Sequence, residues 1–121
     1  MTVGLIDHVH VRAGDFARSA AFYRAVLAAI GRTDVHDGDD WLECGPFFLD
    51  AAPPGQPPSR IHLCFSATSR GQVAAFHRAG LDAGGTDNGP PGLRDYHPGY
   101  YAAFVLDPDG NNIEAKFDER A

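Results

Sequence analysis

Three residues that are far apart in the chain could together bind a metal ion. His8, His62 and Glu114 each fall on the less apolar face of a predicted strand. Two imidazoles and a carboxylate bind first-row divalent ions and leave coordination positions open for water or substrate. The spacing also permits a second interpretation, in which each histidine is a hydrogen-bonded, half-buried structural side chain.

A repeat with a period of 54 residues relates two of these candidates. Residues 19–31 align with residues 73–85 without a gap, and eight of the thirteen aligned positions are identical. The same shift places His8 on His62. The sequence therefore predicts two copies of one strand–helix unit, each with a histidine on its first strand.

The remaining elements follow from alternation, caps and turn residues. A helix is predicted after each of two capping residues, Asp15 and Ser69. A glycine- and proline-rich loop is predicted at 84–92. Strands are predicted at 5–12, 32–35, 41–44, 47–51, 60–66, 100–106 and 112–117.

These elements predict a single α+β domain over residues 1–121, built from two βαβββ modules in tandem. Module one comprises residues 5–51 and module two comprises residues 60–118. Between them, residues 52–59 contain four prolines, which predict an extended connector rather than a central strand.

Composition narrows the class of protein and of partner. A formal charge of −6 and a pI near 5.3 disfavour nucleic acids and anionic membranes, which attract basic surfaces. No apolar run approaches the roughly 20 residues of a membrane-spanning helix. Two cysteines without a CxxC spacing make a disulfide framework improbable. A cytoplasmic protein without a signal peptide is therefore expected.

The element order and three local motifs resemble the vicinal oxygen chelate superfamily, which includes glyoxalase I, extradiol dioxygenases and bleomycin-resistance proteins. The motifs are Ile-Asp-His-Val at 6–9, Arg-Ile-His-Leu at 60–63 and Leu-Asp-Pro-Asp-Gly at 106–110, followed by Glu114. The resemblance covers nearly the whole chain. It implies a glyoxalase-like fold, in which the sheets of the two modules curl around a shared cleft.

The resemblance also implies a metal site and a small-molecule ligand. In metal-binding members, the positions of His8, His62 and Glu114 hold a divalent ion such as Mn, Fe, Ni or Zn. Glyoxalase I has a fourth ligand, and aligning Gly45 with Gly110 places Leu49 at that position. The neighbouring Asp50 is then expected on the opposite face of the strand.

Two functions of different classes remain open from the sequence. One is a divalent-metal-dependent lyase, dioxygenase or transferase acting on a small molecule that chelates the ion through neighbouring oxygens. The candidate acid/base residues are His10, Tyr101 and His97. The alternative is a metal-free protein that binds a drug or metabolite, as bleomycin-resistance proteins do. A homodimer is expected for either function, because the curved sheet of each module would leave open edges and an apolar rim.

Overall fold

The computed structural model describes residues 3–121 and has two four-stranded sheets, each with one helix. The elements are β1 (Val9–Ala13), α1 (Phe16–Ala29), β2 (Val35–Asp37), β3 (Trp41–Cys44), β4 (Phe47–Ala51), β5 (His62–Ser66), α2 (Arg70–Asp82), β6 (Thr86–Arg94), β7 (Tyr100–Leu106) and β8 (Asn112–Asp118). This order confirms the predicted α+β fold with two tandem βαβββ modules.

The two modules have the same strand topology. Sheet order is β1-β4-β3-β2 in module one and β5-β8-β7-β6 in module two. In each, the first strand runs parallel to the last, and the remaining neighbours are antiparallel. The two sheets remain separate and do not close on each other within one chain.

Both helices begin where the sequence predicts. The Asp15 side chain accepts a hydrogen bond from the backbone N–H of Arg18, and the Ser69 side chain accepts one from Gln72. These bonds satisfy backbone donors that a helix N-terminus leaves free. Both helices bury an apolar stripe against one continuous core, which includes Phe22 of α1 and Phe76 of α2.

The turn between β7 and β8 joins the two modules. The Tyr23 hydroxyl of α1 donates to the buried carboxylate of Asp107, and the backbone N–H of Gly14 donates to Asp109 at 3.1 Å. Asp107 also accepts from the backbone N–H of Asn111 at 2.9 Å. Burial and the Asp107 charge raise the pKa of Tyr23 far above its ordinary value, so the hydroxyl stays a donor at neutral pH.

Three predicted strand boundaries and one predicted loop are wrong. The first strand begins at Val9 rather than at residue 5, so His8 precedes it. The second covers Val35–Asp37 rather than 32–35, and the fifth begins at His62 rather than at residue 60. The predicted loop at 84–92 lies mostly within β6, an edge strand with register shifts between Asp87 and Gly89 and between Gly89 and Gly92. An edge strand tolerates its prolines because one side needs no ladder hydrogen bonds.

The connector at 52–59 contains no strand or helix, as its prolines predict. Among residues 3–121, no helix is long and apolar enough to cross a membrane.

Candidate functional site

The site is centred on the carboxylate of Glu114, which is buried in a sheet face that otherwise carries polar and aromatic side chains. Glu114 is 1% exposed, although its neighbours Ile113 and Ala115 point to the opposite, core-facing side of β8. His62 Nε2 lies 2.9 Å from Glu114 Oε1. The Tyr100 hydroxyl donates to Glu114 Oε2. Both carboxylate oxygens therefore have partners, which offsets the cost of burying the charge.

Strand register brings these side chains together. β5 is paired with β8 so that Cys64 lies opposite Glu114, and His62 lies two residues earlier on the same face. β7 is paired with β8 on its other side, with Phe104 opposite Glu114. Tyr100 lies four residues before Phe104 and shares its face.

Aromatic rings and two cations extend the site across the sheet. The Phe104 ring centroid lies 6.2 Å from that of His62, and the Arg94 guanidinium lies 5.4 Å from the Phe104 centroid. Lys116 Nζ lies 4.4 Å from the centroid of the Tyr100 ring. We call this surface the Glu114 face, and its members are His62, Arg94, Tyr100, Phe104, Glu114 and Lys116.

The Glu114 face shifts the pKa values of two neighbouring groups. Desolvation, followed by the hydrogen bond to Glu114, raises the pKa of Tyr100 well above its ordinary value. Desolvation and the charge of Glu114 raise the pKa of the Cys64 thiol to about 12. Tyr100 therefore keeps its proton at neutral pH and is a hydrogen-bond donor to the carboxylate. Cys64 is a neutral thiol there, which makes it a poor nucleophile.

His8 does not join His62 and Glu114 within one chain. It lies just before β1, where its ring Nδ1 is 2.7 Å from Asp7 Oδ1. It lines a shallow pocket on module one together with His10, Glu43 and Phe48. Among residues 3–121, no group of three or more His, Cys, Asp or Glu side chains is arranged to hold a metal ion.

One chain therefore fits a metal only in part. The His62 nitrogen and the Glu114 oxygen are 2.9 Å apart and suit Mn, Fe, Ni or Zn as two donors. A protein-bound ion of this type takes three or four protein ligands. A metal ion at this pair would need at least one further donor, and among residues 3–121 no third His, Cys, Asp or Glu side chain is placed to supply it.

The candidate acid/base residue His10 forms a separate pair on module one. Its Nε2 lies 2.6 Å from Asp50 Oδ1, and its ring makes an edge contact with Phe48, with 5.2 Å between the centroids. Asp50 does lie on the face of β4 opposite Leu49, but that face is the open one, so the expectation that Asp50 points away from the candidate site is wrong. Both residues lie on the open face of module one.

The position equivalent to Glu114 in module one is Phe48, and the predicted assignment of Leu49 is wrong. Val9 pairs with Phe47 in module one as Leu63 pairs with Ile113 in module two, so the next residue on each last strand is Phe48 or Glu114. Leu49 is fully buried in the core. Aligning the two turn glycines fails by one residue because the turns differ in length: β4 follows β3 after two residues, and β8 follows β7 after five.

Of the other two acid/base candidates, His97 borders the Glu114 face and Tyr101 lies on the opposite face of the sheet. His97 packs edge-on to Tyr100, with 4.9 Å between ring centroids, and its Nδ1 lies 2.8 Å from the Pro98 carbonyl oxygen. It therefore borders the Glu114 face. Tyr101 lies on the other face of β7, where the Arg70 guanidinium is 4.5 Å from its ring centroid. Tyr100, rather than Tyr101, contacts Glu114.

Sequence reasoning missed the four other members of the Glu114 face. Tyr100 and Phe104 could have been found from the alternation along β7, and Lys116 lies two residues after Glu114 on β8. Arg94 had no such signal, because the bulges of β6 interrupt the alternation that would have placed its side chain.

Comparison with known proteins shows related sequence and structure along the chain. The family model described as Glyoxalase/Bleomycin resistance protein/Dioxygenase superfamily matches residues 5–115. A glyoxalase/bleomycin resistance protein from Albidiferax ferrireducens T118 is 34% identical, with a TM-score of 0.79, over 94% of this chain and 98% of that chain. No curated protein matches the chain.

More distant solved structures share the fold. A lactoylglutathione lyase from Agrobacterium tumefaciens is 20% identical with a TM-score of 0.61, over 97% of this chain and 96% of that one. A glyoxalase-related enzyme from Fulvimarina pelagi is 22% identical with a TM-score of 0.65, over 95% of this chain and 88% of that one. At these identities the likeness concerns the fold alone.

Proposed function

Because the chain belongs to the glyoxalase/bleomycin resistance protein/dioxygenase superfamily, we propose that it is a divalent-metal-dependent enzyme acting on a small oxygen-chelating molecule. His62 and Glu114 would supply two ligands, and His8 of a second copy would supply the third. When bound, the metal supplies Lewis-acid polarisation of substrate oxygens and a template for their orientation.

One observation carries this proposal: a buried carboxylate is held against an imidazole at an open sheet face. The Glu114 side chain is 2% exposed, whereas that of His62 is 53% exposed. A buried acid costs free energy that an exterior ion pair does not require. Its position beside a solvent-accessible nitrogen is explained if both groups bind a cation at that face.

The surroundings of His8 favour a site shared between two chains. The His8 side chain is 68% exposed. Two large apolar residues beside it, Leu5 and Ile6, are 99% and 65% exposed. A second copy would cover this apolar strip and would place His8 against another open face.

The chain's own groups have distinct roles in this arrangement. Tyr100 donates a hydrogen bond to Glu114 and thereby fixes the orientation of the carboxylate. His10, which contacts Asp50, would lie in the shared site beside His8. It is therefore the first candidate for the acid/base residue. His97 is the second candidate because it borders Tyr100.

Mixing two defective variants tests the shared site. His8→Ala and Glu114→Gln should each weaken manganese binding by about tenfold or more when measured by calorimetry. After unfolding and refolding together, equal amounts should recover binding at about one site in four, because half of random dimers pair the variants and each such dimer has one intact site. Refolding each variant with itself is the control. A mixture without recovered binding would show that the ligands are not shared.

The oligomeric state is a separate test. Sedimentation at micromolar concentration should give about 26 kDa, twice the chain mass of 13.0 kDa. A monomer at all concentrations would exclude the shared site.

The second candidate function is a metal-free protein that binds a small molecule. It is favoured by the hydrogen bonds of Glu114, since His62 and Tyr100 already satisfy both oxygens without an ion. Elemental analysis of gently purified protein separates the two functions. About one divalent metal per chain supports the enzyme, whereas metal-free protein that also fails to take up added manganese supports the binding protein.

A further inference from the structure

Two cations of the Glu114 face have no acidic partner within residues 3–121. Six of the ten Lys and Arg residues form no salt bridge there, and Arg94 and Lys116 are two of the six; Arg24, Arg32, Arg70 and Arg120 each pair with a carboxylate. Both unpaired cations instead lie over aromatic rings, Arg94 over Phe104 and Lys116 over Tyr100. Cation–π contacts of this kind hold a charge in place without neutralising it.

Other residues of β6 hold the Arg94 side chain in place. Its guanidinium folds back and donates from Nη2 to the Pro90 carbonyl oxygen at 2.7 Å. A Cβ at Gly89 would lie 3.1 Å from Nη2, and a Cβ at Gly92 would lie 3.1 Å from Nη1. The two glycines therefore provide the space that the guanidinium occupies. Only one of its five N–H donors is used by the Pro90 carbonyl, so others remain for a ligand.

The charge of this face opposes that of the whole chain. The formal net charge is −6, yet this face carries two cations without a salt bridge. Its buried carboxylate, Glu114, is hydrogen-bonded on both oxygens, and Asp118, further along the same side of β8, is paired with Arg120. An anion approaching the chain is repelled by most of the surface and attracted here. Phe104 offers an apolar surface beside both the cation and the carboxylate–imidazole pair.

We propose that the Glu114 face binds a small carboxylic acid, with its carboxylate on Arg94, its apolar body against Phe104, and Lys116 adding longer-range attraction. This inference rests on the proposed function, which places the reaction at the Glu114 face, and adds that the substrate is a carboxylic acid. Arg94 is assigned the direct contact because its planar N–H groups match a carboxylate, whereas Lys116 provides a point charge.

The test compares two probes of the same shape that differ in charge. Sodium benzoate and benzamide are titrated into the full chain at low salt, with binding followed by backbone amide shifts. Wild type should bind benzoate at least about tenfold more tightly than benzamide, as a charge-assisted contact predicts. Arg94→Gln should remove this preference, and Lys116→Gln should reduce it by about threefold. Equal affinity of wild type for both probes would overturn the proposal.

Two further variants separate the Arg94 contact from a general charge effect. Arg78→Gln changes net charge equally but alters an exposed residue of α2, so it should keep the full preference for benzoate. Gly92→Ala keeps the charge but crowds the guanidinium, and should weaken benzoate binding without affecting benzamide. If Arg78→Gln loses as much as Arg94→Gln, the assignment to Arg94 is wrong. Thermal melts establish that each variant is folded.

A manganese titration of the same wild-type sample distinguishes failure of this inference from failure of the proposed function. Manganese binding without a preference for benzoate overturns the carboxylate assignment and leaves the metal site standing. A preference for benzoate that depends on Arg94, in a protein that binds no manganese, supports the carboxylate site and excludes the metal enzyme. Bound manganese should also strengthen benzoate binding, because it offsets the charge of Glu114.

Discussion

The two modules share the residues that build them but differ on their open faces. Both have a capped helix at the same repeat position and a first strand parallel to the last. Equivalent positions on the open faces then diverge: Phe48 in module one corresponds to Glu114 in module two, and Asp50 corresponds to Lys116. The residues that cap the helices and set the strand pairing therefore repeat in both modules, whereas the polar side chains of the open faces differ between them.

This difference has an electrostatic consequence. The open face of module one carries the carboxylates of Asp7, Glu43 and Asp50 together with two histidines. The Glu114 face of module two carries two unpaired cations and a single buried carboxylate. Among residues 3–121, neither face has three metal ligands, so the proposed metal site would combine two unlike halves.

The largest expected effect comes from the two adjacent residues that determine which side of β4 faces the core. Leu49→Glu should lower the free energy of unfolding by on the order of 4 kcal/mol, because it places an unpaired carboxylate in a fully buried position. Phe48→Glu should cost about 1 kcal/mol, because its side chain lies on the open face. Urea denaturation measures both, and equal losses would show that the register of β4 is wrong.

Metal removal should have the next largest effect on stability, and each chain should bind one ion. At a hundredfold excess over its dissociation constant, a bound ion adds about 2.7 kcal/mol. The melting temperature should fall with chelator at pH 7.5 and change much less at pH 5, since protons compete with the ion for the imidazoles. A stoichiometry of two ions per chain would contradict the conclusion that the two modules carry different sets of metal ligands.

Removing one carboxylate from each module separates the effect of the Glu114 ligand from that of net charge. Glu114→Gln should weaken manganese binding by about ten- to a hundredfold, since it keeps the size of the side chain but removes the charge. Asp40→Asn makes the same change of charge at an exposed turn of module one, away from His8, and should leave affinity within about twofold. Calorimetric titration measures both variants. Similar losses in the two would mean that affinity follows net charge rather than the Glu114 ligand.

The smallest predicted effect concerns the contact that joins the modules. Tyr23→Phe should lower the free energy of unfolding by about 1–2 kcal/mol at pH 7, because Asp107 loses a buried donor. The folded-state pKa of Tyr23 is raised above its unfolded value, so the stabilisation is present at neutral pH and declines above about pH 10.

Urea denaturation of wild type and Tyr23→Phe at pH 7 and pH 10.5 measures this dependence. The difference between the two proteins should narrow at the higher pH. Tyr96→Phe, at a residue that is 72% exposed, is the control and should have little effect at either pH. A difference that grows with pH would contradict the assigned direction.

The sequence by itself determined the local features of the fold. Helix caps at Asp15 and Ser69, the apolar stripes of both helices and the alternation of β8 depend on residues close together in the chain, so periodicity reveals them. The repeat and the element order then predict two βαβββ modules. His62 and Glu114 were identified as candidates because each is a polar residue on a strand whose other face is apolar.

Tertiary structure alone decided which candidates meet. A one-residue difference in how the turns align moved the position equivalent to Glu114 from Leu49 to Phe48, because side chains alternate faces with a period of two. The same correction places Asp50 on the open face, where it contacts His10. The bulges that fold Arg94 over Phe104 depend on pairing with β7, and the separation of His8 from Glu114 depends on how two open sheets pack through their helices. Contacts between distant segments set these positions, and no local pattern in the chain records them.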